Sequence, residues 1–175
     1  MYTEGVELSS DFTNVGPDAA KVGPPLIGAL LRIPFDTVRG RMLAGLHEAG
    51  FTDLIPAHLD VFQYPGPENM RPSELAAHTR MSKQALNYLL GQLERLGYLT
   101  RGTDSSDQRS KRIHLAPRGR AVVTTIREIV HAVESEWEQE LGPRKFAQLR
   151  RLLEELLPIA AATDHSSENR AGPNS

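Results

Sequence analysis

The apolar residues Ile27, Leu30, Leu31, Phe35, Val38, Met42 and Leu46 recur mostly at steps of three and four, which predicts a helix from about Pro25 to Ala49. Pro34 falls inside it, and a proline removes one helix hydrogen bond and clashes with the preceding turn. A kink or a fresh helix start is expected there. Gly50 stands where a left-handed C-cap belongs, and Phe51 is placed for the apolar contact that accompanies such a cap. A short helix follows over Pro56 to Tyr64, with proline at its first position and Leu59 and Phe62 facing inward. Pro65-Gly66-Pro67 ends it. Next comes a tight helix pair. Ser73 to Thr79 buries Leu75 and Ala76, and Ser82 is a natural N-cap for a helix reaching about Leu96. The second of the pair has one apolar face, Ala85, Leu86, Leu89, Leu90, Leu93 and Leu96, and one polar face, Lys83, Gln84, Asn87, Tyr88 and Gly91. After Gly97 the period drops to two. Tyr98 to Thr100 and Lys111 to Leu115 read as short strands around a polar hairpin, Arg101 to Arg109. Two helices close the chain, one opening at Pro117 with a stripe of Val122, Ile126, Ile129, Val133 and Trp137. The other follows Gly142-Pro143 and carries Phe146, Leu149, Leu152, Leu153, Leu156 and Ile159.

Composition narrows the chemistry. None of the 175 residues is cysteine, which excludes disulfides, Cys-ligated zinc, iron–sulfur clusters and thiol redox sensing, and suits a reducing cytosol. No run of about 18 apolar residues offers a membrane span, and the acidic first twenty residues lack the basic start of a secretory signal. The net charge of −2 hides an asymmetry: residues 71–120 hold ten basic and four acidic residues, net +6, between acidic flanks. Such a segment suits one face for a polyanion, with an ordinary solvated patch as the alternative.

A helix pair followed by a two-stranded hairpin with a polar tip is the pattern of a winged helix-turn-helix, whose second helix fits the DNA major groove. The expected fold class is therefore mainly α with a small two- or three-stranded β-wing, flanked by N- and C-terminal helices. Ser73-Glu74-Leu75-Ala76, Ser82-Lys83-Gln84, Leu93-Glu94-x-x-Gly97-Tyr98-Leu99-x-Arg101, Asp107-x-Arg109 and Leu115-x-Pro117-Arg118-Gly119 occur in that order. This series resembles the MarR family of bacterial transcription regulators over roughly residues 27–158. The resemblance implies a homodimer whose N-terminal helix and last two helices form the dimerisation unit. Its two winged domains would bind a pseudo-palindrome with half-sites about one helical turn apart. Effectors in the family often bind between the two parts. The chain departs from the family at Ala116, where an N-capping Thr is frequent, at Tyr88, Gly91 and Gln92, and at the wing tip Asp104-Ser105-Ser106, which lacks a basic residue.

The expected DNA-binding residues are Arg71, Ser82, Lys83, Gln84, Asn87, Tyr88, Arg101, Asp107, Arg109 and Arg112. Gln84 and Asn87 carry the amide groups that pair bidentately with adenine. Asp107 is placed to orient a guanidinium for the minor groove or a phosphate, against the alternative of a surface ion pair in the hairpin. Arg71, Arg95, Arg101, Arg112 and Arg118 suit phosphates better than bases. Of the six histidines none has metal-ligand spacing, so no metal or other cofactor is expected; His47 and His58 are the weak effector-binding candidates. Glu134, Glu136, Glu138 and Glu140 read as a solvated run, no nucleophile–base pair stands out, and an enzyme is not expected.

The chain thus divides into a flexible arm (1–21), N-terminal helices on the dimerisation and effector side (22–64), a winged DNA-binding domain (65–116), C-terminal dimerisation helices (117–162) and a disordered tail (163–175). The function read from it is sequence-specific, ligand-responsive repression by a homodimer on double-stranded DNA, in the bacterial cytoplasm with the nucleoid and away from membranes. A winged module docked on an acidic protein partner is the alternative.

Overall fold

A computed structural model describes residues 24–104 and 107–168, with side chains for 24–102 and 111–160. The order is α1 (Ile27–Glu48), α2 (Pro56–Phe62), α3 (Pro72–Thr79), α4 (Lys83–Arg95), β1 (Leu99–Asp104), β2 (Asp107–Leu115), α5 (Pro117–Leu141) and α6 (Pro143–Glu168). It is a mainly helical chain with a two-stranded antiparallel wing. The expected arm lies outside the described residues.

The chain forms two units, one ending at Thr37 and one beginning at Val38. In the first, the described part is the start of α1. Pro34 neither ends the helix nor begins a new one, for α1 is assigned as a single element through it. Just beyond it the Thr37 hydroxyl donates to the Ile33 carbonyl at 3.1 Å, and Arg32 pairs with Asp36 one turn on.

In the second unit the core is a cluster of leucines and aromatics from every element between α1 and α5. Leu46, Leu59, Leu90, Leu93, Tyr98, Leu99, Ile113 and Val122 have almost no solvent exposure. Each fully buried aliphatic side chain contributes about 1.5–3 kcal/mol. The helix pair α3–α4 and the wing are thereby held as one body. The loop before α3 adds a third edge to the wing without forming a strand: Asn69 N–H donates to Ile113 O and Ile113 N–H to Met70 O, at 2.8 and 2.9 Å. Gly119 explains the Pro-x-Gly motif at the start of α5. A Cβ there would lie 2.0 Å from the Tyr98 carbonyl oxygen, so only glycine lets α5 cross the root of the wing.

Several element ends differ from the pattern's reading. The second helix stops at Phe62, two residues early, as the chain turns extended at Gln63 ahead of the proline pair. Both strands run longer than expected, because ladder pairing uses backbone groups and continues under polar side chains. Their register runs from Leu99↔Leu115 to Thr103↔Lys111, then shifts before Asp104↔Asp107. Ala85 is exposed, not buried: it sits in the first turn of α4, ahead of the leucine stripe, where its N–H takes the Ser82 cap. Helix α6 carries its backbone through Glu168, past the boundary placed at 162, as no glycine or proline interrupts residues 159–168.

Candidate nucleic-acid interface

The interface is built on the turn between α3 and α4. Pro72 opens α3, where a missing N–H costs nothing, and the Arg71 N–H donates to the Glu74 carboxylate at 2.8 Å. The helix stops at Arg80, which takes the left-handed conformation, with Met81 N–H returning to Ala76 O. Ser82 then caps α4, its hydroxyl accepting from Ala85 N–H at 3.1 Å. Leu86, Leu89, Leu90 and Leu93 are buried, so helical geometry alone turns Lys83, Gln84, Asn87 and Tyr88 outward. Tyr88 is 65% exposed. Among the described residues none of these four polar-face side chains makes a hydrogen bond or ion pair.

Arg71, Ser73, Lys83, Asn87 and Lys111 line one shallow polar cleft where the N-termini of α3 and α4 meet the wing. Three cations converge there, and no carboxylate among the described residues lines it. Ser73 and Lys111 were absent from the expected site; Lys111 could have been found by its place in the basic stretch beside Arg112. The Arg112 guanidinium donates to Asn69 O at 2.7 Å and so braces the loop against the wing. Asp107 and Arg109 belong to β2 by backbone, and their side chains lie outside the described residues.

Two arginines face inward on the protein itself. Arg101 gives its backbone N–H and its guanidinium to Glu94, with contacts of 3.1, 3.0 and 2.6 Å. The Arg101 hydrogen bond holds the Glu94 carboxyl below the usual carboxylate range. Arg118 donates to Leu96 O at 2.8 Å, pairs with Asp53 at 3.0 Å and lies 4.3 Å above the Tyr98 ring. Tyr98 is fully buried and its hydroxyl donates to Asp53. Burial pushes the Tyr98 hydroxyl well up, and Asp53 pushes it further. For Asp53, burial acts upward, but Tyr98 and Arg118 outweigh it and the carboxyl is lowered overall. This trio locks the end of α4, the root of the wing and the start of α5 together.

The two histidine candidates have structural partners. His47 Nε2 meets Leu54 O at 2.8 Å. His58 is buried; its Nδ1 accepts from Ile55 N–H, so Nε2 carries the proton and donates to Gln92 Oε1 at 3.0 Å. Neither lines a second cleft, of about 340 Å³, whose walls include Met42, Phe62, Val123 and Ile126, with Gln63, Arg127 and Glu134 among its polar lining. The glutamate run of α5 is only partly a solvated face: Glu136 binds Arg41 of α1 through both carboxylate oxygens, and the Arg41 hydrogen bond lowers its pKa.

Residues 53–110 match the model of the MarR family. An HTH-type transcriptional repressor of Mycobacterium tuberculosis is 28% identical over 130 residues, which cover 74% of this chain and 92% of that protein. Among solved structures, a MarR family protein of Mycobacterium tuberculosis in complex with salicylic acid is 27% identical, with a TM-score of 0.56, over 77% of this chain and 98% of that one. A transcriptional regulator of Thermotoga maritima is 26% identical, with a TM-score of 0.52, over 78% and 94% of the two chains.

Proposed function

We propose, from the premise that this chain is a MarR-type transcriptional regulator, that it works as a ligand-responsive repressor, binding a pseudo-palindromic operator as a homodimer. The observation that carries the reading is the outward face of α4: four polar side chains without partners among the described residues, beside a cleft where three cations meet. A helix held by leucines on one side and bare on the other is suited to enter a major groove, with the cleft on the adjoining phosphates. Ser82 then acts through its cap, and Lys83, Asn87, Arg71 and Lys111 through direct contact. Arg109 and Asp107 are assigned to the wing's contact with the minor groove.

Dimerisation is supported by apolar surface that no described residue of the chain covers. Leu149, Leu152, Leu153, Leu156 and Leu157 along α6 are all more than a third exposed, and in the other unit so are Leu26, Ile27, Leu30 and Leu31. A monomer rarely leaves so many large aliphatic side chains in water. The effector reading rests on the apolar-walled cleft at α2 and α5, whose volume falls within the range of small-molecule sites. A relative solved with salicylic acid supports it.

The test is a mobility-shift assay on fragments of the organism's own genome, run at two salt concentrations and with added salicylate. Selective, salt-sensitive retardation that salicylate changes supports the reading. Absence of any retardation at low salt overturns it in favour of an acidic protein partner.

A further inference from the structure

Gln84, Asn87, Tyr88 and Gly91 fall at i, i+3, i+4 and i+7, one continuous stripe along α4. We infer that this stripe reads A·T base pairs, with Gln84 and Asn87 on adenines and Tyr88 against a thymine methyl, across a gap left by Gly91. The inference rests on the DNA-binding reading above and adds what that reading leaves open, the base class recognised.

Three observations carry it. The first is the stripe's chemistry. An arginine or lysine on guanine O6 and N7 is the commonest specific contact, and a carboxylate accepts from cytosine N4; the stripe has none of these. It has two amides, and an amide pairs bidentately with adenine N6 and N7. The two lie three residues apart, about 4.5 Å along the helix axis, near the base-pair step of about 3.4 Å. Lys83, next to Gln84 in the chain, lines the cleft with Arg71 and Lys111 and is drawn to phosphate there, and Arg95, one turn beyond Gly91, lines a separate hollow with Asp53, His58 and Gln92.

The second is the Tyr88 ring, 65% exposed on an otherwise polar face, with no hydrogen-bond partner among the described residues. A ring in this place gains by covering an apolar group, and the apolar group in the major groove is the thymine 5-methyl.

The third is Gly91. Glycine inside a helix is unfavourable, and here nothing among the described residues requires it. Its φ is not positive, and a Cβ would meet only the Arg95 guanidinium at an ordinary 3.8 Å. A glycine that packing does not demand, on the outward stripe one turn beyond Asn87 and Tyr88, admits close approach of another molecule.

The experiment selects bound duplexes from a pool with a randomised central segment, using the full-length protein. It then measures affinity for the selected duplex with thymine replaced by uracil, or adenine by 7-deaza-adenine, in the half-sites. A·T pairs are expected at the positions α4 faces. Uracil should weaken binding about three- to fivefold, the burial of one methyl group. 7-Deaza-adenine should weaken it about tenfold. Tyr88→Ala should abolish the uracil effect and Tyr88→Phe should keep it. Gly91→Ala should raise the melting temperature while weakening the selected duplex about tenfold. Selection of G·C pairs at those positions, or a uracil effect that survives Tyr88→Ala, overturns the inference and leaves the DNA-binding reading intact. Selection of no duplex at all overturns both.

Discussion

Asp53 shows how a single carboxylate joins three elements. It accepts from the buried Tyr98 hydroxyl and pairs with Arg118, which also holds the last turn of α4 through Leu96 O. Truncation to alanine leaves the phenol without its acceptor, at a cost of about 1–3 kcal/mol in urea denaturation at pH 7. The pH dependence has a definite sign. The folded-state pKa of Asp53 is lowered, so its contribution is present above the ordinary carboxylate pKa of about 3.9 and fades as pH falls through the lowered value. The gap in stability between wild type and Asp53→Ala should therefore narrow below about pH 4; a gap that widens there contradicts the assignment. Leu89 tests the opposite face of α4. It is 5% exposed against the scaffold, and Leu89→Ala should cost about 2–5 kcal/mol by the same measurement.

Among the elements, α4 was the most legible in the sequence. Ser82, the leucine spacing and Gly97 are local signals, and each appears in the structure as read. The wing was legible as two strands but not in length, since backbone pairing under Thr103, Asp104 and Asp107 leaves no apolar alternation to find. Long-range partners were not legible at all. Arg101 and Arg118 look like any other cation in the basic stretch, and only the fold brings Glu94 and Asp53 to them. Lys111 stood out as a cation beside Arg112, but its place in the cleft comes from strand register. Two consequences belong to this scale. Ser82→Ala removes the α4 cap and should destabilise by about 1 kcal/mol in thermal or urea melts. Lys83→Ala and Lys111→Ala should each weaken binding to all duplexes alike and reduce the slope of log affinity against log salt by about 0.9, one phosphate's counterion release. An unchanged slope in both variants would remove the cleft from the interface.

For the whole molecule, the charge distribution and the apolar surface exposed among the described residues bear on the proposed assembly. The basic stretch is concentrated between residues 71 and 120, and the long aliphatic face of α6 lies in a separate part of the chain. The first suits a polyanion and the second a second copy, so a two-fold assembly would present two α4 faces to one duplex. No helix among the described residues is long and apolar enough to cross a membrane. Leu153→Asp should accordingly shift the protein toward monomer in analytical ultracentrifugation and lower DNA affinity at least tenfold without unfolding α4, as near-native circular dichroism would show. The most direct test of the central claim is a hydroxyl-radical footprint on the selected duplex, with binding stoichiometry measured alongside. The expected result is two protected half-sites about one helical turn apart with two protomers bound. A single protected patch holding one protomer would contradict it.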